Sequence, residues 1–515
     1  MQANKKSGAG RLILLFLLVA LATSFLFWQL AGSPAGWFRW GKPDPLAQTL
    51  QLIQERYVDE IPPAVLKSIS LDSIANLLDP HSAYLDPISL RRANEDLSNH
   101  YAGVGIGFAR IRDTVTVSYV YPNSPSERAG IQTGDQLLAI GKRSLLGQDL
   151  SYDSIRLLVR GPVGTEIHLT VATNGKRREV AVKRAEIPTP GVTSAYLIND
   201  STGYIKLIKF SEGSYRESVR ALDSLKGLGM RSLILDLRSN GGGFLQEAVE
   251  LADEFLSDDR LIVYTEGAHL KKRSYFCKRP GLFEKGNLTV LMNEHSASAS
   301  EVLAGALQDW CRATIVGRRS FGKGLVQEQY DLSNQGALRL TVARYYTPLG
   351  RCIQRPYQKN RSQTSTSDPE KNHPPTRIYQ NVCGDTRYAG GGIEADIQVP
   401  SAPIRMQDPS AEQFLQSPEI VVWAYRYYIA HKNRMDTLLD MSQWALRSPE
   451  KELHDFLLQQ VFSKTTVLSA GDWEQIGWEI NAQIARIRKG EQEYIRIKNL
   501  RDPYLHAARQ NHKSP

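Results

Sequence analysis

Apolar residues recur every three to four positions along some stretches of this chain and alternate with polar ones along others. After Pro43 and Pro45, the spacing of Leu46, Leu50, Ile53 and Tyr57 predicts helix, and residues 46–95 read as mostly helical. Asp79-Pro80-His81-Ser82 interrupts them as a turn, where a capping or structural role for His81 outweighs catalysis. Residues 100–186 change period. Val115, Val117, Tyr119 and Tyr121 alternate, and Ile167, Leu169 and Val171 alternate up to Asn174-Gly175, with Val180 and Val182 beyond it. Two alternating runs around Asn-Gly predict a hairpin within a small β-rich module that Pro188 and Pro190 end.

Residues 191–402 alternate the two periods. Strands are expected at Gly203–Phe210, Ser232–Leu237 and Leu288–Met292, with helices over Ser211–Leu228, Leu245–Leu256 and from Ser298. That βα alternation argues an α/β core. Residues 356–392 are polar and irregular and read as a long loop, and 410–515 read as mostly helical. No repeat of fixed period stands out.

One apolar run has no polar face. Lys5, Lys6 and Arg11 precede an uncharged stretch from Leu12 to Leu30. Its length at 1.5 Å per residue spans about 28 Å, close to a bilayer core. Phe25, Leu26, Phe27 and Trp28 extend the run, and no clean Ala-x-Ala follows. The favoured reading is an uncleaved signal anchor, with a cleaved signal peptide and a soluble extracytoplasmic chain as the alternative. The basic flank would stay in the cytoplasm, with Trp28, Trp37, Phe38 and Trp40 at the far interface or in an ordinary core.

Composition narrows the classes. The 515 residues, 42% apolar and 23% charged, suit several folded domains. A mean hydropathy of −0.34 excludes a polytopic membrane protein but not a single anchor. The net charge of +9 is small for this length. Its basic residues sit in short runs such as Lys176-Arg177-Arg178 and Lys271-Lys272-Arg273, which read as solvated turns, so no nucleic-acid partner is expected. Cys277, Cys311, Cys352 and Cys383 lie far apart without zinc spacing; one or two disulfides and free buried thiols fit them equally.

Three features carry candidate chemistry. The first is Ser296-Ala297-Ser298-Ala299-Ser300-Glu301, directly after a buried strand. Ser298 and Glu301 have capping-box spacing, so a helix should start there. A serine at a strand-to-helix turn lies among free backbone N–H groups at the positive end of a helix, which suits a nucleophile beside an oxyanion site; on its own it reads first as a plain N-cap. The second is Gly317-Arg318-Arg319-Ser320-Phe321-Gly322-Lys323-Gly324. It nearly matches a P-loop, but Gly324 replaces the Mg²⁺-holding Ser/Thr and Leu325–Leu332 reads as strand rather than helix. A lysine between glycines, if desolvated, becomes a general base, and Gln327 is placed to hydrogen-bond and aim it; a surface turn lysine is the plain alternative. The third is Asn240-Gly241-Gly242-Gly243 after the strand ending Asp236-Leu237, where glycine lets backbone approach a substrate. A plain strand-to-helix turn fits it too.

Together these stretches resemble the carboxyl-terminal processing proteases, the S41 family of serine proteases with a Ser–Lys dyad. The resemblance rests on Ser296–Glu301 with Gly305-Ala306-Leu307-Gln308-Asp309, and on Ser320–Gln327. It extends to Asp79–Leu85 and Gly391-Gly392-Ile393-Glu394-Ala395-Asp396, and covers about residues 45–400. It implies Ser298 as nucleophile, Lys323 as general base, Gln327 as orienter, and oxyanion donors from the backbone of Ala299 and Gly242. The family usually has Asn-Pro-Gly-Gly at 240–243, so Gly241 should loosen that turn; Ala395 for its usual proline should matter little. The β module resembles a PDZ domain. Gly103-Val104-Gly105-Ile106-Gly107-Phe108 fits its carboxylate-binding loop, since successive N–H groups form a nest for a chain end and the next strand pairs with the peptide. It is not G-x-G-x-x-G, so a dinucleotide site is not expected.

The expected architecture is multidomain α/β: a signal anchor (1–32), a helical N-terminal segment (33–98), a PDZ domain (99–187), a ClpP/crotonase-like α/β protease core (188–402) and a helical C-terminal region (403–515). The expected function is a serine endopeptidase of the bacterial envelope that cuts proteins near their C-termini, with the PDZ domain holding the free tail and no metal or organic cofactor. The C-terminal helices fit packing on the core, self-association as a homo-oligomer, or an adaptor contact. A silent PDZ scaffold on a protease-like core and an acyl-transfer enzyme acting on thioesters are the alternatives.

Overall fold

The computed structural model describes residues 44–61, 71–111, 113–173, 175–356, 377–400, 406–437, 451–462 and 467–511. The apolar stretch at 12–30 lies outside them, as do Trp28, Trp37, Phe38 and Trp40. Among the described residues no helix is long and apolar enough to cross a membrane.

The core sheet has six strands, in the order Val192–Leu197, Thr202–Leu207, Ser232–Asp236, Asn287–Met292, Thr314–Gly317 and Ile397–Gln398. All neighbours after the first pair run parallel. Parallel strands need crossovers, and helices Ser214–Gly227, Leu245–Asp253 and Ala299–Asp309 supply them. Leu233, Leu235, Val290, Leu303 and Leu307 are buried together between sheet and helices. The expected strands and helices of this region are all present, with ends moved by a few residues.

A second, antiparallel sheet was not foreseen. Its long strand Ala337–Tyr346 pairs with Ala83–Leu85, with Leu261–Glu266 and with the strand after the lysine, Leu325–Asp331. The N-terminal helices Pro45–Arg56 and Leu71–Leu78 pack on it through Ile53, Ile74 and Leu78 against Leu338, Leu340 and Val342. The long loop contains a small hairpin, Ile378–Gln380 with Thr386–Tyr388, and residues 357–376 lie outside the described part.

The β module is a six-stranded antiparallel sheet. Its hairpin pairs Thr173 with Lys176 and Glu166 with Lys183; Asn174 of the expected turn lies outside the described residues. A ribbon of His100–Gly103 with Ala185–Pro188 closes its base. Helix Tyr152–Val159 lies beside the strand Ile106–Ile111, which is an edge of the sheet.

The C-terminal helices pack around their own core of Phe414, Trp423, Tyr427, Leu457, Trp478 and Ile480. They also bridge two other parts. Tyr504, Leu505 and Ala508 pack on the core sheet at Tyr204, Ile234 and Val316. Arg486 lies over the ring of Tyr119 in the β module at 4.8 Å.

Candidate active site

Strand Asn287–Met292 ends beneath the sheet's C-terminal edge, and the chain turns through Ser296 and Ala297 into helix Ala299–Asp309. Ser298 stands at that turn with φ 56° and ψ −114°. A positive φ in a serine is strained, at a cost on the order of 1–3 kcal/mol, and it aims the side chain away from the ordinary N-cap position. Its hydroxyl makes no capping bond, and the buried phenol of Tyr345 lines the same cleft.

Glu301 makes one half of the expected capping box and more. Fully buried, its carboxylate accepts from the N–H of Ser298 (2.8 Å), the hydroxyl of Ser320 (2.5 Å), and the N–H groups of Gly322 (2.7 Å) and Lys323 (2.8 Å). One oxygen, Oε2, thereby holds both the serine and the lysine backbones. Burial pushes the Glu301 carboxyl up, and these hydrogen bonds pull the other way. The sequence offered only its capping role; its reach to residues 320–323 depends on a loop that folds back over the helix N-terminus.

Lys323 leads into the strand Leu325–Asp331, so the P-loop's helix is absent here. Its amine donates to Oε1 of Gln327 at 2.8 Å. Gln327 in turn donates through Nε2 to the carbonyl of His81. The turn around His81 is built by Asp79, whose buried carboxylate accepts from the N–H groups of His81 (2.7 Å) and Ser82 (2.8 Å) and from the Ser82 hydroxyl (2.6 Å). That hydroxyl accepts from the N–H of Thr341 at 3.1 Å, docking the turn on the long strand. His81 thus serves through its backbone. Burial, and then the nearby guanidinium of Arg339, push the Lys323 amine below its ordinary pKa; Asp79 and Glu301 oppose them. Tyr345 donates its hydroxyl to the Lys323 carbonyl, and burial holds its own pKa well up, so it stays a neutral donor.

Ser298, Ala299, Lys323, Gln327 and Tyr345 line one cleft of about 560 Å³, together with Gly241 and Gly243. No direct bond joins the Ser298 hydroxyl to the Lys323 amine in this structure. The expected oxyanion donors lie close by. Ala299 is the first residue of the helix. Gly242, at φ +99°, packs so tightly that a Cβ would stand 2.7 Å from Cβ of Ser298 and 2.9 Å from the Ala299 nitrogen. Its N–H donates to Oδ1 of Asn240 at 2.9 Å. Nothing lies within 4 Å of a Cβ built on Gly241, so that position does have room.

A neighbouring ion cluster escaped the sequence reading. Asp236, fully buried, accepts from Tyr204 (2.8 Å), Lys206 (3.0 Å) and Arg238 (2.6 Å). Burial alone would raise its carboxyl, but Arg238 and Lys206 overcome that and hold it well below the usual carboxylate range. Arg238 also pairs with Asp502 at 2.6 Å and lies over Tyr504 at 4.7 Å. The base of the Asn240–Gly243 loop is therefore fastened to the C-terminal helices. The partner stands more than 260 residues away (from 238 to 502), and local spacing carries no trace of it.

In the β module a cavity of about 200 Å³ lies between the edge strand and helix Tyr152–Val159. Val104, Gly105, Ile106, Gly107 and Phe108 line it with Tyr101, Tyr121, Arg156 and Arg160. Gly103 does not line it; it pairs with Ala185 in the basal ribbon. Tyr152 stacks on Phe108 with ring centroids 5.9 Å apart and accepts from the N–H of Arg110 at 3.0 Å. Among the described residues no group of three or more His, Cys, Asp or Glu could hold a metal ion. Cys311 and Cys383 form a disulfide, while Cys277 and Cys352 are free.

Residues 201–359 match the sequence profile of peptidase family S41, and residues 116–173 match that of a PDZ domain. A carboxy-terminal-processing protease of Bartonella bacilliformis is 36% identical over 284 residues, which cover 54% of this chain and 64% of that one. A carboxyl-terminal-processing protease of Synechocystis sp. is 35% identical over 284 residues, covering 54% and 66%. The matched region thus spans just under two thirds of these relatives' length. Among solved structures, a photosystem II D1 C-terminal processing protease is similar at 24% identity and a TM-score of 0.41, over 70% of this chain and 94% of that one.

Proposed function

We propose that this chain is a member of peptidase family S41, a serine endopeptidase that cuts proteins near their C-termini with a Ser298–Lys323 dyad. The observation that carries the reading is the single carboxylate oxygen of Glu301 that accepts from both backbones and sets serine and lysine on one cleft. Ser298 Oγ attacks the scissile carbonyl while the neutral Lys323 amine takes its proton. Lys323 then protonates the leaving amine, and water activated by the same amine releases the acyl group. Gln327 aims the amine, anchored by His81. The N–H groups of Ala299 and Gly242 receive the oxyanion; for Gly242 this requires its bond to Asn240 to yield to the substrate. In the PDZ domain the cavity under Val104–Phe108 takes the free chain end, and Tyr152 must swing aside for a peptide strand to reach Arg110.

The apolar stretch at 12–30 and the Cys311–Cys383 bond support an extracytoplasmic site in the cell envelope, reached by a signal anchor or a signal peptide. The test incubates wild type, Ser298→Ala and Lys323→Ala with an unfolded protein bearing an apolar tail and weighs the fragments. Fragments from wild type alone are expected. Cleavage that survives both substitutions would overturn the dyad.

A further inference from the structure

The catalytic cleft holds a second cation. Arg339 lies on the long strand Ala337–Tyr346, opposite Gln329 on one side and Ala83 on the other. Two positions along, Thr341 stands opposite Gln327. Cross-strand partners share a face, so Arg339 belongs to the same wall as the residue that aims Lys323. It is half-buried and lines the cleft together with Ser298 and Lys323.

Arg339 has no acid partner among the described residues. Burial alone moves its pKa, downward, with no carboxylate contributing. Of the two acids that line the cleft, Glu212 and Glu328, the latter already accepts from the hydroxyl of Tyr330 at 2.5 Å. Among the described residues Arg339 and Lys323 are the only cations in the lining, and a lysine acting as base is neutral. Arg339 is then the standing positive charge of the cleft. A guanidinium cannot shed its proton, and a partly desolvated one without a partner is relieved by a carboxylate, which it grips with two parallel hydrogen bonds. Gln329 and Asn94, bonded to each other at 3.4 Å, add amide groups to the same wall.

We propose that Arg339 is a carboxylate-binding subsite within the catalytic cleft, so that the substrate presents a negative charge a few residues from the bond that is cut. The proposal rests on the protease reading and adds to it the chemistry of the substrate. Two sources offer that group: the chain end itself, passed from the PDZ cavity into the cleft, or an Asp or Glu side chain near the tail.

The test uses the full chain carrying Ser298→Ala, so that binding is read without turnover. Three fluorescent octapeptides of one apolar sequence are titrated onto it by fluorescence anisotropy: one with a free C-terminus, one amidated, and one amidated with an internal Asp. The same titrations are run with Arg339→Gln and Arg339→Lys added. The PDZ groove contributes equally to every protein, so the Arg339-dependent difference is the signal. Arg339→Gln is expected to weaken a carboxylate-bearing peptide roughly tenfold and the neutral peptide less than twofold, with Arg339→Lys between. Loss on the free-ended peptide identifies the chain end, and loss on the Asp peptide a side chain. An equal change on all three peptides overturns the subsite. The neutral peptide and the melting curve report whether each variant is folded.

Turnover by wild type tests the protease reading separately. In that assay Arg339→Gln has a second signature. Lys323 faces Arg339, Asp79, Glu301 and the neutral phenol of Tyr345, and Arg339 is the cation among them. Its removal moves the acid limb of kcat/KM to higher pH, which loss of packing alone would not do.

Discussion

As the proposed general base, Lys323 has to be neutral to take a proton, and its surroundings favour that form. Burial and the Arg339 charge lower its pKa from the usual lysine value. The sign for activity follows: the protonated amine is inert, so kcat/KM falls as pH drops through the lowered value and rises on the alkaline side. A pH profile of tail cleavage checks this, and activity that does not fall at any acid pH where the protein stays folded would exclude a lysine base. Glu301 makes a different demand. Its carboxylate accepts from a hydroxyl and three backbone N–H groups. In Glu301→Gln the amide NH₂ faces donors, leaving some unmet at about 1–3 kcal/mol each. A loss of about 2–4 kcal/mol in stability is expected, with kcat down roughly a hundredfold as serine and lysine drift apart. Denaturant melts and turnover on one preparation check both. The family resemblance put Ser298, Lys323 and Gln327 in one site, and the structure brings all three to one cleft. Glu301 was legible only as a capping partner, and Tyr345 and Asp79 not in these roles at all, because their bonds cross between separate stretches of chain.

The helix Pro87–Leu97 connects two sites. Its Asn94 and Leu97 line the cleft that holds Ser298 and Lys323, while Arg92 pairs with Asp153 at 3.0 Å and Glu95 with Arg160, both at the helix beside the PDZ cavity. Periodicity located this helix broadly, within residues 46–95, but the two faces it serves are set by tertiary packing. The helix behind Ser298 shows the same limit. Its start followed from strand, small residues and a capping pattern; its far end is tied at Cys311 to Cys383, a pairing that four scattered cysteines could not disclose. The bond closes a separation of 72 residues, for which chain entropy gives about 4 kcal/mol. Mild reduction is therefore expected to lower the melting temperature by about 5 °C or more. Calorimetry with and without reductant checks it, and a Cys383→Ser variant should melt at the reduced value under both conditions.

At the scale of the whole molecule, the C-terminal region joins the other parts. Arg238 and Asp502 pair at 2.6 Å, Asn499 donates to the Tyr196 hydroxyl at 2.8 Å, and Tyr425 approaches Gly134 of the PDZ domain. The α/β core and the β module were readable from period and turn residues. The antiparallel second sheet and this bridging were not, since both are made of long-range pairs. Asp502→Ala leaves Arg238 with Asp236 as its remaining acid and removes a partly buried pair. A loss of about 1–3 kcal/mol is expected, together with faster hydrogen exchange in the Asn240–Gly243 loop that Arg238 anchors. Exchange mass spectrometry reads the second effect, and an unchanged loop would separate the C-terminal helices from the active site.

Ser298 keeps a backbone conformation that glycine would hold with ease. Ser298→Gly removes that strain, offset by about 0.5–1 kcal/mol for the freer unfolded chain. The glycine variant should melt at or above the wild type, and above Ser298→Ala, which keeps the strain. A lineage released from the need to cut peptides would gain stability by drifting to glycine here, and selection for fold alone would favour that drift. If the serine at 298 is the proposed nucleophile, it is also a historical record: a serine in an unfavourable backbone is what a chain under selection for chemistry would carry, and what a retired scaffold would shed.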